Sequence, residues 1–115
     1  MKHLMNIDEI YFNLVKIGQK THEYRLYDDK RKTIKIGDII ELVNNRDKNL
    51  KIEVKVINIQ VFKNWESALK NTYESDFQGL YSSLKETVEA CQKFYSQENI
   101  NKYGIVVFEI KKTSM

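Results

Sequence analysis

The sequence predicts an α+β fold: a small, curved, barrel-like sheet of mixed or antiparallel strands, with helices packed at its ends. Three observations lead there. The elements run helix, several strands, two or three helices and a closing strand, with no long βαβ unit. The stretch Leu50–Phe62 changes phase partway along. Ile52, Val54 and Val56 alternate with charged residues, then Ile57, Ile59 and Val61 continue on the opposite parity. A shift of that kind marks a bulge, as a strand bending around a barrel requires. Finally, 115 residues with 42% apolar and 30% charged side chains suit a single domain spanning 1–115.

The first helix is expected from Ile7 to Ile17, capped by Asn6 with Glu9 three residues on. Ile7, Ile10, Leu14 and Ile17 would form its apolar face. Gly18 stands where a left-handed helix end is wanted. Lys20–Leu26 reads as extended. Side-chain alternation puts Thr21, Glu23, Arg25 and Tyr27 on one face and His22, Tyr24 and Leu26 on the other.

A charged turn follows at Asp28–Lys32, and Gly37-Asp38 forms another. Ile39–Val43 is a strand. Asn44–Asn49 turns the chain into the strand Leu50–Phe62. Asn64 caps a short helix, Trp65–Lys70, and Thr72–Tyr81 reads as a loop. Ser83 and Glu86 form a capping box for a helix with Leu84, Val88, Cys91 and Tyr95 on one face. Ser96 caps a last helical segment before Tyr103-Gly104, and Ile105–Ile110 closes the sheet.

Composition narrows the function. A lone cysteine, Cys91, can form neither an internal disulfide nor a thiolate zinc site. On its apolar helical face it reads as a small core residue. No apolar run approaches the roughly 18 residues of a membrane span, and the first residues lack the continuous apolar stretch of a signal peptide. A cytoplasmic location is expected. His3 and His22 lie far apart without carboxylates at ligand spacing, so neither a metal site nor a cofactor is expected. The net charge is +3, but residues 16–35 carry seven basic and three acidic side chains, a local +4 against −1 for the remainder. Such a field steers anionic ligands. The run Lys30-Arg31-Lys32 within it reads equally as a solvated turn.

Chemistry is expected at Gly18–Tyr27. Lys20, Glu23 and Arg25 fall within six residues just after a helix end. Glu23 and Arg25 can point the same way along a strand. Lys20 has the opposite parity and joins them only if the chain turns between Lys20 and Glu23. A carboxylate between two cations stays ionised, and can hold a ligand's donors or accept a proton. The alternative is a surface ion-pair network with no ligand. Tyr24 and Tyr27 can stack on bases or pack across strands. Trp65 is expected to be buried against the barrel.

The string Gly18-x-Lys20-x-x-Glu23-x-Arg25 after a helix resembles the hallmark of ASCH domains, members of the PUA-like superfamily. The continuation Leu26–Arg31 into Ile36-Gly37-Asp38-Ile39-Ile40-Glu41, and the ending from Tyr95 to Val106, are similar to that family as well. The resemblance implies a PUA-like β-barrel whose motif residues line a cleft. The implied partner is RNA or a nucleotide or nucleoside, bound by Lys20, Glu23, Arg25, Tyr24 and Tyr27. Some small members are amidohydrolases acting on N4-acetylcytidine, and others are ribonucleases. In the amidohydrolases a threonine nucleophile stands three residues after the lysine, where this chain has Glu23. Those enzymes also use a glutamate from the central helical region, for which Glu66, Glu74 and Glu86 are candidates. Three functions stay open: an RNA- or nucleotide-binding module; a hydrolase using Lys20 and Glu23; or a domain that binds a protein partner and no nucleotide.

Overall fold

The computed structural model describes residues 1–113. Its five strands are β1 (Lys2–Ile7), β2 (His22–Leu26), β3 (Ile39–Asn44), β4 (Lys51–Phe62) and β5 (Ile105–Lys112). They form one sheet in the order β1-β3-β4-β5-β2, curled into a half-barrel. The β1–β3 pair is parallel and the other three are antiparallel. The helices are α1 (Glu9–Lys16), α2 (Asp29–Lys32), α3 (Trp65–Leu69), α4 (Tyr73–Asp76), α5 (Leu84–Cys91) and α6 (Gln97–Tyr103). None is long and apolar enough to cross a membrane.

Side-chain alternation along β5 feeds two cores. Val106, Phe108 and Ile110 pack on one face with Phe12 and Val15 of α1 and with Met5, Ile40, Leu42, Val54 and Val56. Ile105 and Val107 pack on the other face with Tyr24, Trp65, Leu69, Phe77, Cys91 and Ile100. The register shift between β4 and β5 falls between Val56 and Asn58, where the phase change placed it. It leaves Ile57 41% exposed while Val54, Val56 and Ile59 continue into the first core.

The start of the chain differs from expectation. Asn6 and Ile7 belong to β1, where Met5 and Ile7 are buried and Lys2, Leu4 and Asn6 are exposed. The helix begins two residues later, with Asp8 at its N-cap making no side-chain cap. Its buried residues are Phe12 and Val15, whereas Ile10 and Ile17 face solvent. Pairing with β3 drew Ile7 into the sheet and rotated the buried face of the helix.

The turn at Asp28–Lys32 is tightened into the single helical turn α2, capped by the Asp28 side chain. Thr72–Tyr81 likewise contains a helical turn, α4. The other caps form as expected: Asn64, Ser83 and Ser96 each accept from a backbone N–H three residues on. Glu86 reaches the backbone N–H of Ser82.

Two glycines set the geometry near the site. Gly18 ends α1 at φ +84°, and the N–H groups of Gln19 and Lys20 both return to the Leu14 carbonyl. Gly104 (φ +81°) runs so close to β4 that a β-carbon there would lie 2.8 Å from the Phe62 carbonyl oxygen. Its own carbonyl accepts from Tyr27, which fixes the end of β2.

Candidate nucleotide-binding cleft

Glu23 and Arg25 project from β2 on the face they share with Val106 and Phe108's side of the sheet, being paired with Phe108 and Val106 respectively. Lys20 joins them because β2 does not begin until His22. The looped-back backbone after Gly18 provides the turn that parity demanded. The Lys20 ammonium donates to Glu23 Oε1 at 2.7 Å and to the His22 carbonyl. Arg25 Nε donates to Glu23 Oε2 at 2.6 Å, and its Nη2 lies 2.5 Å from the same oxygen. The residues Lys20 and Glu23 are each 4% exposed.

Burial alone would raise the Glu23 carboxyl, but the Arg25 and Lys20 cations outweigh it and hold it at about 2. Burial likewise opposes the charge on Arg25. The Glu23 carboxylate more than offsets that, with the Tyr95 hydroxyl assisting, so the guanidinium is held still more firmly charged. Arg25 Nη2 also donates to the Asn6 carbonyl at 2.7 Å. This bond spans from β2 to β1, the two outermost strands of the sheet. The charged group therefore sits at the seam where the half-barrel fails to close.

A cavity of about 170 Å³ opens at that seam. Lys20, Glu23 and Arg25 line its charged side, and Asp8 and Asn45, themselves bonded at 2.9 Å, line another. The remaining wall is aromatic: Tyr11, Tyr24, Trp65, Phe77, Phe94 and Tyr95. Trp65 is buried and stacks nearly parallel on Tyr95. Tyr11 meets Phe77 and Phe94 edge-on, and Phe94 is 46% exposed. Cys91 lies on the lining with its thiol pushed up to about 12 by burial, so it is neutral and no nucleophile. Burial also raises the hydroxyls of Tyr11 and Tyr24, which act as neutral hydrogen-bonding groups.

The segment 72–81 backs this wall. Tyr81 shares a 2.7 Å hydrogen bond with the Tyr11 hydroxyl, and the Gln78 carbonyl accepts from Gln19. Asp76, fully buried, accepts from the Tyr24 hydroxyl at 2.8 Å and from the Thr21 N–H and hydroxyl. The His22 imidazole lies 3.4 Å away. The central glutamates Glu66, Glu74 and Glu86 are all exposed and none lines the cleft. The acid that region does bury is Asp76.

Of the residues singled out in the sequence, Lys20, Glu23, Arg25 and Tyr24 come together at the cleft. Tyr27 does not line it. Its ring packs against the first core, with the Lys32 ammonium 5.4 Å from its centre. Lys30, Arg31 and Lys32 lie on α2, away from the lining, with Arg31 paired to Asp28 at 2.8 Å. Tyr11 and Phe94 carried no signal of their own, reaching the cleft from α1 and from the segment after α5; Tyr95, expected on the helical face with Cys91, lies in that same segment beyond the end of α5. Among the described residues, no three His, Cys, Asp or Glu side chains converge as metal ligands would.

A family model for the ASCH domain matches residues 5–114. The chain belongs to the ASCH family. A crystal structure of the hypothetical protein PH0355 is 37% identical, with a TM-score of 0.83, covering 97% of this chain and 99% of that one. A solution structure of protein PF0455 from Pyrococcus furiosus is 30% identical, with a TM-score of 0.76 and full coverage of both chains. An ASCH protein from Zymomonas mobilis shares the fold at 13% identity and a TM-score of 0.57, covering 96% of this chain and 66% of that one. No curated protein matches the chain. The α+β, PUA-like architecture expected for an ASCH domain is thus the one this chain adopts.

Proposed function

We propose that this ASCH domain binds RNA or a modified nucleotide by taking one base into the seam cleft. The observation that carries this reading is the pairing of an aromatic wall with a charged edge in a space of about 170 Å³. A cavity of roughly 150 Å³ accommodates a single benzene ring, so the cleft suits one unstacked ring. Aromatic side chains supply stacking to such a ring, while buried polar groups read its edge. Exposed Lys30, Lys32 and Lys35 from the basic segment remain available to phosphates of the flanking chain.

The state of Glu23 favours binding over hydrolysis. A carboxyl held at about 2 is a weak proton acceptor at neutral pH. Its two cations instead fix it as a hydrogen-bond acceptor for a base's amino group.

The test is a backbone amide titration of the protein with cytidine, N4-acetylcytidine and a short single-stranded RNA, at low and moderate salt. Expected are shifts at Tyr11, Glu23, Arg25 and Phe94, with RNA affinity falling as salt rises and nucleoside affinity largely indifferent to it. Absence of shifts with all three ligands would overturn the reading. Release of acetate or a cleaved strand in the same samples would replace it with a hydrolase.

A further inference from the structure

Trp65 carries a hydrogen-bond donor without a partner. The residue is 2% exposed, and among the described residues nothing accepts from its indole Nε1–H. A buried donor left unpaired is costly, and native structures rarely keep one without a reason. Arg31 Nε and Asn44 Nδ2 are unpartnered as well. Those two side chains are engaged through other atoms: Arg31 donates to Asp28, and Asn44 Oδ1 accepts from the N–H groups of Arg46 and Asp47. Neither lines the aromatic cleft. The indole has no second polar atom, and Trp65 does line the cleft.

The neighbours of the ring narrow where an acceptor can come from. Trp65 opens α3 behind the Asn64 cap. It packs in the second core with Ala68, Leu69, Cys91, Ile100 and Ile105, none of which brings a side-chain oxygen or nitrogen. Tyr95 stacks on it with the ring planes 10° apart. The border that remains is the cleft. The N–H itself is shielded from solvent, so an acceptor meets it only as the lining gives. Tyr95, in the segment between α5 and α6 and next to exposed Phe94, is the neighbour best placed to do so.

We infer that Trp65 is a specificity-determining residue of the cleft, its N–H donating to an acceptor on the edge of the guest ring, a carbonyl oxygen or an uncharged ring nitrogen. The inference rests on the reading that a ring enters the cleft. It adds that the ring is one with an acceptor, because a hydrocarbon ring of the same size leaves the donor unpaired. Glu23 takes the guest's donor and Trp65 its acceptor, so the two chemistries of a base edge meet separate groups.

The chain has one tryptophan, so its indole N–H gives a single resonance in the spectrum of the nitrogen-labelled protein. The full chain is titrated at neutral pH with cytidine, pyridine and benzene. Pyridine and benzene match in size and differ in the ring nitrogen. Cytidine and pyridine should move the indole proton downfield in a saturable way, and benzene should not. Trp65→Phe keeps an aromatic ring and removes the donor. It should weaken pyridine about tenfold and leave benzene unchanged. Should that variant fold poorly, the indole titration of the unaltered protein decides alone. Shifts at the Tyr11, Glu23 and Phe94 amides with an unmoved indole proton would overturn the inference and leave base binding standing. Equal weakening of pyridine and benzene by Trp65→Phe would overturn it too. No shift at the indole or the cleft amides with any probe would overturn the inference together with the reading it rests on.

Discussion

Two buried carboxylates lie on either side of strand β2, and they are held in opposite ways. Glu23 is clasped by two cations, Lys20 and Arg25, at 2.5–2.7 Å. Asp76 is held by the Tyr24 hydroxyl and by the Thr21 N–H and hydroxyl, with His22 at 3.4 Å. Glu23 lines a cavity open to solvent, whereas Asp76 is sealed. The difference separates two tasks. Cations keep a carboxylate ionised where a ligand enters, while hydroxyl and amide donors peg a loop to the sheet.

The comparison breaks most sharply at Glu23. Glu23→Ala leaves two largely buried cations without their partner and should cost about 3–5 kcal/mol, read from urea denaturation. Glu23→Gln keeps the shape and should cost less, yet still abolish selective nucleoside binding. If it binds as the parent does, Glu23 is structural only, and the contrast with Asp76 disappears.

Asp76→Asn should come next, at about 1–3 kcal/mol, because an amide cannot accept from all of the facing donors. Its loss should appear first as faster amide exchange across residues 72–81, with the Glu23 ion pairs intact.

Acid distinguishes Glu23 further. Its folded carboxyl titrates at about 2, below its unfolded value near 4.3. The stabilisation is therefore complete above about pH 5 and is lost as the pH falls toward 2. Denaturation curves across that window should steepen for the parent protein relative to Glu23→Gln. Equal acid sensitivity in both would contradict the electrostatic account.

The smallest effect is expected at Thr72, whose hydroxyl meets that of Tyr24 at 2.5 Å. Thr72→Val should cost about 1 kcal/mol and leave nucleoside affinity unchanged. A matching loss of affinity would mean that the Asp76 side of β2 also shapes the cleft.

What could be seen in advance follows the range of the interactions. Gly18, the bulge after Val56 and the caps at Asn64, Ser83 and Ser96 are local, and each was readable from its neighbours. The Lys20–Glu23–Arg25 group was readable because all three lie within six residues and form a motif. β1 was hidden, since only its pairing with residues 39–44 distinguishes it from the start of a helix. Asp76 was hidden for a similar reason: its partners lie more than fifty residues away. Tyr27 keeps the parity of Glu23 and Arg25, but its ring packs against the first core beyond the end of the cleft, a distinction that parity alone does not make.

The seam itself has a kinetic corollary. Among the described residues no backbone ladder joins β1 to β2; Arg25 on the Asn6 carbonyl is a side-chain stitch across the gap. Parting the two strands would undo that stitch and leave all four ladders whole. A guest of the proposed kind would then come and go while the amides of β3, β4 and β5 stay shielded from exchange. Such an opening would belong to the shallow end of the protein's range of opening energies, well short of unfolding.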